Sequence, residues 1–123
     1  MKTALVIEDN EDNMELITFI LEENGFQTLR AETGRKGVDL ALHAHPDFIL
    51  LDIQLPDIAG PEVLGRIRAS ATTARIPVIA VTSHAMAGDR ERLLAAGCDG
   101  YIEKPIDPAA VIAQIRRFIG EDP

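Results

Sequence analysis

Four strand-like runs in this chain stop at residues able to do chemistry. Ala4 to Ile7 ends in Glu8-Asp9, Phe48 to Leu51 in Asp52, Ile76 to Val81 in Thr82-Ser83, and Gly100 to Glu103 in Lys104-Pro105. The stretch from Asp47 to Pro56 holds four consecutive apolar residues between polar and turn-forming neighbours, the pattern of a strand buried on both faces in a parallel sheet. Ligands bind at the carboxyl edge of an open α/β sheet, so side chains emerging there are placed for reaction. Each has a plainer use as well: Asp52 as a turn residue, Thr82 as a helix cap, Lys104 as a surface lysine. Taken together they describe a site. Three carboxylates sharing one crevice repel each other unless one is protonated or a cation neutralises them. Mg²⁺ suits hard oxygen ligands and keeps several waters. The formal charges of Glu8, Asp9, Asp52, one Mg²⁺ and Lys104 cancel, which leaves room for an incoming anion such as a phosphoryl group. Its transfer needs mainly positioning and charge stabilisation. Asp52 is the best-placed nucleophile, because Glu8 and Asp9 are better used on the metal. An aspartyl phosphate would turn a -1 group into roughly a -2 group, and that charge can be a signal.

The elements that would bring these residues together alternate. After the first run, Met14, Ile17, Phe19, Ile20 and Leu21 recur at helical spacing between Asn13 and Asn24, and Asn24-Gly25 stops the helix. Gln27 to Ala31 reads as a less apolar, edge-proximal strand, and Thr33-Gly34 opens a helix with Val38, Ala41 and Leu42 on one side. His43, His45 and Pro46 end it. Asp57 to Gly60 is a turn, Pro61 opens a helix carrying Val63, Leu64 and Ile67, and Ser70 to Thr73 breaks it. A helix from Asp89 to Ala96 turns Leu93 and Leu94 inward, and Gly97 closes it. From Pro108 to Gly120, Val111, Ile112, Ile115, Phe118 and Ile119 form an apolar stripe. Five β-α units in alternation imply a doubly wound parallel sheet with helices on both faces and right-handed crossovers. The flavodoxin-like order 2-1-3-4-5 is expected, with the topological switch between the first and third strands, where Glu8-Asp9 and Asp52 meet.

Composition bounds the possibilities. The 123 residues fit one domain, and an aromatic content of 4% leaves Leu, Ile, Val and Ala to fill its core. A net charge of -8 argues against binding nucleic acid or anionic lipid. No signal peptide or apolar run long enough for membrane insertion is found, and the single cysteine, Cys98, cannot form an internal disulfide; the cytoplasm is expected. Cys98 reads as a small buried hydrophobe. Glu11, Asp12, Glu15, Glu22 and Glu23 read as a solvated helix face, and His43, His45 and His84 lack metal-ligand spacing. His84 stands close enough after Thr82 to approach a bound phosphate.

Glu8-Asp9, Asp52 followed by Pro56 and Gly60, Thr82, and Tyr101 with Lys104-Pro105 resemble the receiver domain of two-component response regulators, the CheY-like superfamily, over the whole chain. The runs Glu8-Asp9-Asn10, Asp52 to Pro56 and Lys104-Pro105-Ile106 are most similar to DivK-type stand-alone regulators and to the receivers of hybrid histidine kinases. The resemblance implies that residues 1–123 form a single receiver domain, with a short polar tail at 120–123 and no output domain attached. It implies that Asp52 accepts a phosphoryl group from a phosphohistidine of a histidine kinase or histidine phosphotransfer protein, in a Mg²⁺-dependent reaction. Asp9, Asp52 and the Gln54 backbone carbonyl would ligate the ion, with Glu8 acting through a water. Thr82 and Lys104 would contact phosphoryl oxygens, Tyr101 would be the switch aromatic, and the Lys104-Pro105 peptide would be cis. Such a chain promotes only its own phosphorylation and dephosphorylation. A downstream target protein would read the surface of the fourth helix, fifth strand and fifth helix. Gln54 and His84 stand two beyond the aspartate and the threonine, which leaves the phosphoryl lifetime open.

Rival functions fit less well. A hydrolase with an aspartyl-phosphate intermediate would use a second aspartate where Gln54 stands, and a flavin-phosphate loop would be rich in Ser, Thr and Gly where residues 8–12 are mostly acidic. The alternative is a phosphorylation-independent interaction module, a pseudo-receiver. It would keep the fold without needing the acceptor residues, all of which are present.

Overall fold

A computed structural model describes residues 2–83 and 87–120, and their side chains except those of 87–90. His84 lies outside the described residues. In chain order the elements are β1 (Thr3–Ile7), α1 (Glu11–Glu23), β2 (Gln27–Ala31), α2 (Gly34–Ala44), β3 (Phe48–Asp52), α3 (Gly60–Ala69), β4 (Val78–Thr82), α4 (Ala87–Ala95), β5 (Gly100–Glu103) and α5 (Val111–Phe118). The strands pair in parallel in the order β2-β1-β3-β4-β5. This is the flavodoxin-like order expected from the alternation of elements.

Both faces of the sheet are buried because successive strand side chains point to opposite sides. Ala4, Val6, Phe48, Leu50, Ile79 and Val81 pack with Met14, Ile17 and Leu21 of α1 and with Val111 and Ile115 of α5. Leu5, Ile7, Ile49, Leu51, Val78 and Ala80 pack with residues of α2, α3 and α4. β2 is an edge strand with a mostly exposed or half-buried sequence, as its lower apolarity requires.

Several boundaries differ from the sequence expectation, for local reasons. α1 starts at Glu11 because the Asn10 side chain accepts the Asn13 N–H at 2.9 Å, which puts two acids in the first turn where the helix dipole favours them. Phe19 is not part of the inner stripe: it is 61% exposed, since Met14, Ile17 and Leu21 define the buried side. Leu94 also faces out while Leu93 is buried. β4 begins at Val78, because Pro77 has no N–H to give a ladder; its carbonyl accepts the Ile49 N–H. α4 begins at Ala87, two residues before the expected Asp89. Residues 108–110 are turns, and α5 starts only at Val111. Among the described residues no helix is long and apolar enough to cross a membrane.

Candidate functional site

The site forms where β1, β3, β4 and β5 end together. Glu8 follows β1 and extends the ladder by donating its N–H to the Ala31 carbonyl at 2.9 Å. Asp52 is the last residue of β3, kept in register against Val81 of β4, and the next N–H, that of Ile53, donates to the Val81 carbonyl at 3.2 Å. Thr82 ends β4. The Lys104 N–H donates to the Thr82 carbonyl at 2.8 Å, so the end of β5 is tied to the end of β4, and the Lys104-Pro105 peptide is cis.

One oxygen from each of Glu8, Asp9 and Asp52 lies within 4.8 Å of the others. Glu8, Asp52 and Thr82 are buried, and Asp9 is exposed at the mouth. Lys104 Nζ stands 3.0 Å from Glu8 Oε1 and 3.3 Å from Asp52 Oδ2. Asp52 Oδ1 accepts the Gln54 N–H at 3.0 Å, and Glu8 Oε2 accepts the Asn10 N–H at 3.2 Å. Glu8 Oε1 is close enough to Lys104 for an ion pair, yet this buried oxygen accepts no hydrogen bond.

The electrostatics follow from that crowding. Burial, and next the neighbouring Asp52 carboxyl, push the Glu8 carboxyl up to about 7, against the opposing pull of the Asn10 amide and Lys104. Burial works against the Lys104 ammonium, yet the adjacent carboxylates of Glu8 and Asp52 outweigh it and raise its pKa. An acid cluster short of positive charge, with one buried oxygen lacking a donor, fits a hard divalent cation. The residues present therefore suit Mg²⁺.

The remaining expected residues lie around this centre. Gln54 is exposed in the loop after β3, and Tyr101 is half-buried on β5, opposite Ala80, against the cluster formed with α2, α3 and α4. Beside Thr82 and Gln54 a cavity of about 430 Å³ opens, lined also by Ile53, Pro61, Arg92 and Leu93. Cys98 is buried, and burial pushes its thiol up to about 11. His43 and His45 are exposed at the end of α2. Asn10 is a site residue that the chemistry of side chains alone does not reveal: it caps α1 with its side chain and holds Glu8 with its backbone. An asparagine ahead of acids at a helix start was the available signal.

The response regulator receiver domain family matches residues 4–116. The polar-differentiation response regulator DivK of Brucella ovis is 43% identical over 120 residues, which is 98% of each chain. The receiver domain of sensor histidine kinase PA1611 from Pseudomonas aeruginosa PAO1, solved with a magnesium ion coordinated in its active site cleft, is 34% identical with a TM-score of 0.89, over 97% of this chain and 98% of that one. The chemotaxis response regulator CheY4 of Vibrio cholerae is 22% identical with a TM-score of 0.92, over 96% and 98% of the two chains, a likeness of fold.

Proposed function

Since the chain belongs to the response regulator receiver family, and with it to two-component signalling, we propose that Asp52 is its phosphoacceptor and that residues 1–123 act as one receiver domain. The phosphoryl donor is a phosphohistidine of a histidine kinase or histidine phosphotransfer protein. A carboxylate oxygen of Asp52 attacks phosphorus; the new P–O bond forms as the P–N bond breaks, and the imidazole leaves and recovers a proton from water. Lys104, within 3.3 Å of Asp52, moves its ammonium to a phosphoryl oxygen as charge shifts there, and the Thr82 hydroxyl donates to another. Asp9, Asp52 and the Gln54 carbonyl would hold Mg²⁺, and Glu8 would act on it through a water. When bound, the ion offsets negative charge on the transferring oxygens.

The observation that carries this reading is the cluster of three carboxylates around one lysine, in which a buried Glu8 oxygen accepts no hydrogen bond. Output passes through the surface of α4, β5 and α5 around Tyr101 to a downstream protein, and the exchange takes place in the cytoplasm. Intact-mass measurement after incubation with Mg²⁺ and acetyl phosphate tests the assignment. The wild type is expected to gain one phosphoryl group and Asp52→Asn none; equal labelling of both rejects Asp52.

A further inference from the structure

Asp57 stands in the loop between β3 and α3, where the sequence suggests only a turn. Its carboxylate accepts two backbone N–H groups from a different helix: Gly34 donates to Oδ1 at 2.8 Å and Arg35 to Oδ2 at 2.9 Å. These belong to the free amides that open α2, and the next, Lys36 N–H, donates to Thr33 Oγ1 at 3.2 Å. α2 is thus capped partly by its own Thr33 and partly by a loop 22 and 23 positions away. The Arg35 amide, first among several backbone donors, holds the Asp57 carboxyl below its usual range. Ile58, the next residue, is buried so close to α2 that a Cβ on Gly34 would lie 2.5 Å from its Cγ1. At the loop's far end the Gly60 N–H donates to the Ile53 carbonyl at 3.2 Å, and a Cβ on Gly60 would lie 2.8 Å from the Ile53 Cα. Gln54 sits between these anchors with its own N–H committed to Asp52.

We propose that Asp57 is a positioning residue for the phosphorylation site: by holding the α2 amides it sets the path of the β3–α3 loop, and with it the Gln54 carbonyl offered to Mg²⁺. The inference rests on the magnesium-dependent reading of Asp52 given above. It places one determinant of metal affinity on α2, a helix with no ligand of its own.

Isothermal titration with MgCl₂ of the wild type, Asp57→Ala, Asp57→Asn and Thr33→Ala separates loop placement from helix stability. Thr33→Ala removes a cap from α2 and leaves the loop untouched, whereas Asp57→Ala removes both contacts and Asp57→Asn keeps one oxygen acceptor. Magnesium affinity is expected to fall on the order of 10-fold in Asp57→Ala, the scale of a lost outer-shell support. It should fall less in Asp57→Asn and stay at the wild-type value in Thr33→Ala, although thermal unfolding comes earlier in both alanine variants. Wild-type affinity in Asp57→Ala, or an equal loss in Thr33→Ala, overturns the inference and leaves the phosphoacceptor reading intact. No magnesium uptake by the wild type overturns both. Should Asp57→Ala fail to fold, Asp57→Asn decides by the same comparison with Thr33→Ala.

Discussion

A carboxyl 2% exposed and within 4.8 Å of a second carboxyl cannot ionise freely, and Glu8 is in that position. With its folded pKa raised to about 7 from 4.5, its contribution to stability is fully present below the unfolded value and is lost as pH rises through the folded one. In chelator, the wild type is therefore expected to lose stability from acid to neutral pH relative to Glu8→Gln, which keeps a neutral side chain throughout. Urea unfolding of both proteins across that window checks this; parallel curves would remove Glu8 as the cause. Lys104 is the cation that the structure sets against both buried acids. Lys104→Met is expected to slow labelling by acetyl phosphate on the order of 100-fold, the scale of a lost charge-stabilising donor, while magnesium uptake persists. A mass time course with parallel calorimetry reads the two effects separately. That Glu8, Asp9, Asp52, Thr82 and Lys104 stand at or just past strand ends was legible in the sequence, because each follows a run of strand type. The unequal states of the acids were not, since desolvation depends on what covers each one.

At the scale of elements, the end of the sheet opposite the site is tied by Arg68 of α3. Its guanidinium donates to the carbonyls of Gly97, Ala74 and Ile76 and pairs with Asp99 at 2.8 Å, while Asp99 also accepts the Val78 N–H at 2.8 Å. One side chain thus joins α3, the loop before β4, β4 itself and the turn after α4. Arg68→Ala leaves several carbonyls without a donor, and a loss of about 2 kcal/mol in unfolding free energy is expected. Arg68→Lys should recover less than half, because an ammonium cannot reproduce the fork. Denaturant titration of the three proteins measures it. Element order and type could be read from periodicity, including the stop of α1 at Asn24-Gly25, where Gly25 takes φ +88°. Which apolar residues of a helix face outward could not: Phe19 and Leu94 are exposed beside buried Ile20 and Leu93, and the packing of each helix on the sheet decides between such neighbours.

For the whole molecule, the tie from Lys104 N–H to the Thr82 carbonyl joins the proposed phosphorylation site to β5, and Tyr101 lies three residues earlier on that strand. Adding a beryllofluoride mimic of the phosphoryl group is expected to shift a two-state equilibrium of the α4, β5 and α5 surface. Amide chemical shifts there should move in the wild type and stay in place in Thr82→Ala; still shifts in the wild type would defeat the proposed output route. Magnesium should also stabilise the fold by mass action, by about 2.7 kcal/mol at one hundred times its dissociation constant. Asp9→Asn should lose most of that gain in a thermal unfolding series. By itself the sequence determined the alternation of strands and helices, the sheet order it implies, and the placing of the carboxylates, threonine and lysine at strand ends, because periodicity and turn chemistry are local. Tertiary structure alone decided which carboxylate oxygen is left without a donor, which helix Asp57 caps, and what Arg68 holds together. Those contacts join residues from separate elements, and their energies depend on distance and burial, which spacing along the chain does not encode.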